Sequence, residues 1–82
     1  MYQNYVVEVK KTVAGEFEHN VSWVWDEDAD TCLNKAYSKF HEILARAAVS
    51  DYADHGAIIF SSQCFPIDNK CYRHTQAEQT AE

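Results

Sequence analysis

The chain has 82 residues, 46% of them hydrophobic, with 7 basic against 13 acidic side chains and a formal charge of −6. That is enough for one small domain near the lower size at which a core stabilises itself, and too apolar for wholesale disorder. The acidic balance excludes a sequence-independent grip on nucleic-acid backbone, which needs a basic surface, and argues against an anionic membrane.

Tyr5 to Thr12 reads as a strand, with Tyr5, Val7 and Val9 alternating against Val6, Glu8 and Lys10. Val13 to Glu16 forms a short connection with one flexible residue, Gly15. Phe17 to Trp25 is a second strand in which Phe17, His19, Val21, Trp23 and Trp25 share a face. Two alternating runs joined so closely predict an antiparallel hairpin. The Trp-rich face, His19 included, is expected to turn inward.

From Asp30 to about Ser50 the pattern changes to a helix. Leu33, Ala36, Tyr37, Phe40, Ile43, Leu44, Ala47 and Ala48 recur at three- and four-residue steps and make one apolar stripe. Asp26, Glu27, Asp28 and Asp30 crowd its start, where unpaired N–H groups and the helix dipole favour negative charge; Asp28 or Asp30 is the expected N-cap. Glu42 and Arg46 are spaced to pair along the helix. Gly56 is free to take a positive φ ahead of the next strand. Ala57 to Ser61 then reads as a third strand, Ser62 and Gln63 as a turn, and Phe65 to His74 as a fourth strand with Pro66 at an edge. The polar segment 75–82 is expected to be a mobile tail, leaving residues 1–74 as a single domain.

The predicted fold is therefore α+β, a four-stranded, mainly antiparallel sheet in the order β-β-α-β-β with one helix on one face, and a strand order of 2-1-3-4. One helix cannot cover eleven aromatic side chains and a third strand that is apolar on both sides. The surplus predicts a homo-oligomer joined through the second sheet face or a strand edge.

No apolar run reaches the ~20 residues of a membrane span, and the start lacks a signal-peptide pattern. Three cysteines, Cys32, Cys64 and Cys71, are an odd number at no framework spacing, which points to free thiols in a cytoplasmic setting. His55, Cys64, Cys71 and His74 are zinc-type ligands, but without C-x-x-C or H-x-x-x-H spacing. The simpler reading makes the three cysteines small buried hydrophobes, and no cofactor or metal is expected. A Cys–His nucleophile would need an electropositive setting that nothing here signals, and two glycines cannot build a phosphate cradle. Catalysis is not expected.

Two surface groups remain. Asp26, Glu27, Asp28 and Asp30 form a candidate docking patch for a basic protein, beside the plainer reading as a capping cluster. Lys39 and Arg46, with Lys35, line one flank of the helix, while Lys70, Tyr72, Arg73 and His74 cluster on the last strand. Brought together between subunits, Lys39, Arg46, Lys70, Tyr72, Arg73 and His74 would form an anion pocket in which Arg grips phosphate and Tyr72 stacks on a base. The plainer reading is solvated surface charge.

The segments WDEDADTCLNKAYSKFHEILARAAVS and HGAIIFSSQCFPIDNKCYRH resemble a group of short phage and prophage accessory proteins of gut bacteria, over roughly residues 20–74. The likeness is one of layout, with no catalytic motif, and a glycine common in the last turn is replaced by Cys64. It implies a small viral accessory protein in an infected cell. On that footing the expected function is to counter a host defence, by sequestering a nucleotide immune signal or occupying a host effector. The alternative is a minor virion assembly factor that docks through its apolar sheet face.

Overall fold

A computed structural model of the chain describes residues 1–74; the expected tail, 75–82, lies outside the described residues. The elements are β1 (Tyr2–Lys11), β2 (Phe17–Asp26), α1 (Ala29–Ala47), β3 (Asp54–Ser61) and β4 (Pro66–Arg73). They form one antiparallel sheet in the order β2-β1-β3-β4, with α1 on one face, the α+β arrangement expected. β2 and β3 are both antiparallel to β1, so they run parallel to each other, and α1 makes the crossover between them.

The helix starts where its sequence requires. Asp28 is the N-cap, and its carboxylate accepts from the Thr31 backbone N–H at 2.8 Å and the Thr31 hydroxyl at 2.9 Å. Beneath the stripe lie the helix-facing residues of the two central strands. Val6, Ala36, Phe40, Ile43, Leu44, Ala57 and Ile59 form the core, flanked by Val24, Tyr37 and Tyr72. At its far end the helix is tied to the sheet by His74, whose Nε2 lies 2.8 Å from the Ala47 carbonyl oxygen.

Register decides which face of each strand is covered. Val6 lies opposite Ser22 and Ile59, so even-numbered β1 and β2 residues face the helix and odd-numbered ones face away. Phe17, His19, Val21, Trp23 and Trp25 are therefore on the outer face and exposed, the reverse of the inward orientation expected for His19 and its neighbours. The physical reason is the helix's narrow footprint. It sits over β1 and β3, and the helix-side positions of β2 that it does not cover are polar: Glu18, Asn20 and Ser22. The Glu42–Arg46 pair is also replaced: Arg46 reaches Glu8 at 3.4 Å, and Glu42 lies 3.8 Å from Lys39.

Gly56 lies inside β3 without a positive φ. Its need for glycine is steric instead, since a Cβ there would run into the Lys70 carbonyl and lie 2.6 Å from Cys71 Cα. Both hairpins use one turn design. In the first, Thr12 N–H donates to Glu16 O at 2.8 Å, Gly15 N–H to Thr12 O at 2.9 Å, and Glu16 N–H to the Thr12 hydroxyl at 3.0 Å. In the second, Ser61, Cys64 and Phe65 repeat this pattern at 2.8, 2.9 and 3.2 Å. The left-handed position holds Gly15 (φ 97°) in one and Cys64 (φ 67°) in the other.

An L side chain in that conformation is strained by about 1–2 kcal/mol. Cys64→Gly should therefore stabilise the fold by up to about 1 kcal/mol after the entropic cost of glycine, while Gly15→Ala should destabilise it by a similar amount. Urea midpoints of the two variants, moving in opposite directions, check this.

Candidate functional site

Two places concentrate chemistry: the uncovered sheet face and a buried polar cluster at the far end of the helix. On the uncovered face the strands align side chains into rows. Trp23, Tyr5 and Phe60 make one row; Val21, Val7 and Ile58 the next; His19, Val9, Gly56 and Cys71 a third. The Tyr5 and Trp23 rings lie 5.5 Å apart at 58°, a tilted cross-strand contact. A fourth row, Phe17, Lys11, Asp54 and Arg73, closes one end with charge, and Arg73 Nε donates to Asp54 at 2.9 Å. Beside the protruding Trp23, which is 63% exposed, Tyr5, Val7, Val21, Phe60 and Cys64 line a shallow hollow of about 460 Å³. Of the eleven aromatic side chains only Phe40 is buried, so the larger apolar groups of this chain lie outside its core.

The buried cluster joins residues that the sequence keeps far apart. Glu8 on β1 and His55 on β3 are both almost fully buried, with His55 Nε2 2.6 Å from Glu8 Oε2. His55 Nδ1 lies 2.9 Å from the Ser50 hydroxyl, which also reaches the Ala47 carbonyl at 3.3 Å. The Arg46 guanidinium approaches the same Glu8 oxygen at 3.4 Å. Outside them the Tyr52 ring meets the imidazole edge-on at 5.2 Å and carries Lys10 Nζ 5.1 Å from its centroid.

Burial pushes the Glu8 carboxyl up, but the His55 hydrogen bond and the charges of Arg46, Lys10 and His55 outweigh it, and its pKa lies below the ordinary 4.5. With Glu8 ionised, Nε2–H donates to Oε2. A neutral ring then accepts from the Ser50 hydroxyl at Nδ1; a charged ring donates to it, and the hydroxyl turns to Ala47 O. Hydroxyl, imidazole and carboxylate are connected as in an acyl-transfer triad. Here, however, the imidazole is only 3% exposed, and the hydroxyl lies against the last helical carbonyls. The arrangement pins the helix end to the two central strands.

The anticipated anion pocket is dispersed within one chain. Lys39 and Arg46 lie on the helix flank engaged with Glu42 and Glu8. Lys70 and Tyr72 are on the helix side of β4, with Lys70 Nζ 5.1 Å from the Tyr72 ring centroid. Arg73 is on the opposite sheet face with Asp54, and His74 caps the helix end. In the acidic patch, Asp26 forms an ion pair with Lys35 at 2.8 Å and accepts from the Asp28 N–H, while Asp28 is spent on the cap. The Lys35 hydrogen bond holds the Asp26 carboxyl below its usual range, and the Thr31 backbone bond does the same for Asp28. Glu27 and Asp30 complete the patch on the exposed surface.

Among the cysteines Cys32 is buried, as expected, but Cys64 and Cys71 are exposed, because the turn and the uncovered face place them outside the core. His55 and Cys71 occupy opposite faces of the sheet, and among the described residues no three metal-type ligands converge. No helix of the described residues is long and apolar enough to cross a membrane. No family model, curated protein or solved structure matches this chain.

Glu8 and His55 were the pair that sequence reasoning missed. The available signal was Glu8 sharing the strand face of Val6. Because the folded Glu8 pKa is depressed, its contribution to stability is fully present above about 4.5 and is lost as pH falls through the lower folded value. Glu8→Gln should thus flatten the acid limb of the stability–pH profile, read by urea unfolding below pH 5. Glu8→Ala should cost about 2 kcal/mol at pH 7 by stranding the buried imidazole.

Proposed function

We propose that this chain is a non-catalytic binding protein that acts through protein–protein contact, with the uncovered sheet face as its contact surface. The observation that carries this is the stacking of Trp23, Tyr5, Phe60, Val21, Val7 and Ile58 in adjacent rows on a face that no element among the described residues covers. Contiguous aromatic and β-branched surface of this kind is what protein interfaces are built from, because it releases water over a large area at low entropic cost.

A protein partner is favoured over a nucleotide signal by the electrostatics. Lys35, Lys39, Arg46 and Arg73 each have a carboxylate within 4 Å, and they lie on both faces of the sheet. A phosphate would have to displace those carboxylates in a chain of charge −6. In the viral setting implied by the resemblance, this reading makes the protein an occupier of a host effector, either directly with this face or as an assembly that this face holds together. The same apolar face also favours a second reading, an assembly factor of the particle, and recovery of the chain in purified particles would select it.

Lys11 is the lysine on the uncovered face, whereas Lys10, Lys35, Lys39 and Lys70 lie on the helix side. Amine cross-linking in producing cells should therefore give protein adducts enriched at Lys11. Val21→Glu should remove them while leaving the far-UV circular dichroism intact. Adducts confined to Lys35 and Lys39 and indifferent to Val21→Glu would contradict the proposal.

A further inference from the structure

We infer that the partner seated on the uncovered face is a second copy of this chain, in a two-fold dimer in which Trp23 of each copy enters the hollow of the other. This rests on the reading of that face as the contact surface, and four observations carry it from there to a particular occupant.

The first is the size of the core. Its fully buried members include Ala36, Ala47, Ala57 and Cys32, so much of the interior is small side chain. A domain this short with so modest a core gains the missing apolar burial by associating. The second is area. Four strands about 4.8 Å apart, with eight paired residues rising about 3.4 Å each, give a footprint of about 500 Å² before side-chain relief. Two such faces bury roughly 1,000–1,500 Å², within reach of the standard specific interface.

The third is charge. Two copies of a chain of charge −6 repel each other. Among the described residues, Asp54 is the one carboxylate on the uncovered face, and it is bonded to Arg73 there beside Lys11. Approach through this face therefore keeps the other described carboxylates of the two copies on the outside. The fourth is shape. A two-fold contact is isologous, so each copy must carry both the knob and the socket. Trp23 projects directly beside the hollow lined by Tyr5, Val7, Val21, Phe60 and Cys64. The dimer leaves two helices outward and presents the acidic helix start twice, at Glu27 and Asp30.

Native mass spectrometry and light scattering of the full chain test this. The wild type should be a dimer of about twice 9.4 kDa at micromolar concentration, and Trp23→Glu and Val21→Glu should be folded monomers. In the wild type, Cys64 on the hollow should react with a maleimide at least tenfold more slowly at high than at low protein concentration, a readout that needs no variant. A wild-type monomer at about 100 μM, or a Trp23→Glu protein that still dimerises with Cys64 equally reactive at all concentrations, overturns the inference. A monomer whose Lys11 cross-links to a different protein removes the second copy and leaves the contact surface standing. A monomer with no adduct at Lys11 removes both.

Discussion

One helix has to cover a four-stranded sheet, and most of the structure follows from its inability to do so. A helix is about 10 Å across, whereas four strands span nearly twice that and present two faces. Here α1 covers the helix side of β1 and β3, and the interior is the narrow strip between them. Beyond Val24, which packs against the core, the edge strand β2 therefore carries polar residues on its helix side, Glu18, Asn20 and Ser22, and its largest apolar residues on the other. What the helix cannot reach becomes either a solvated margin or an open apolar face.

The same constraint explains the buried polar cluster. Near its C-terminus the helix meets Glu8 and His55, which lie buried on the same strand faces as Val6, Ala57 and Ile59. They are tolerated because their buried polar atoms are partnered: Glu8 Oε2 with His55 and Arg46, and both His55 ring nitrogens, with Glu8 and Ser50. Satisfied networks of this kind fix orientation more than they add stability. The network sets the position of the helix end, together with His74 on Ala47.

Much of this architecture was legible in the sequence. The 3.6-residue stripe from Leu33 to Ala48, the acidic start and the two alternating hairpins gave the elements, and the crossover gave the strand order. Alternation separates the two faces of a strand but does not say which is covered, so Trp23 and His19 read as inward when they are outward. Partners 47 residues apart, as Glu8 and His55 are, leave no local signature. Arg46 had a suitable neighbour in Glu42 one turn away and took Glu8 instead, because the more buried carboxylate is the one in greater need of a counter-charge. Gly56 and Cys64 show the limits of reading residue type alone: the glycine is required by a neighbouring backbone, and the cysteine stands where a glycine would relieve strain.

Both tryptophans of the chain, Trp23 and Trp25, are on the uncovered face, so tryptophan emission, excited selectively over the five tyrosines, reports on that face. Emission spectra over a dilution series of the purified protein are the most direct test of whether it is a contact surface between copies. The proposed dimer predicts blue-shifted emission at high concentration that moves to the red, water-exposed position on dilution as the copies separate. Red emission that is independent of concentration would contradict it, since the tryptophans would then face water at every stage.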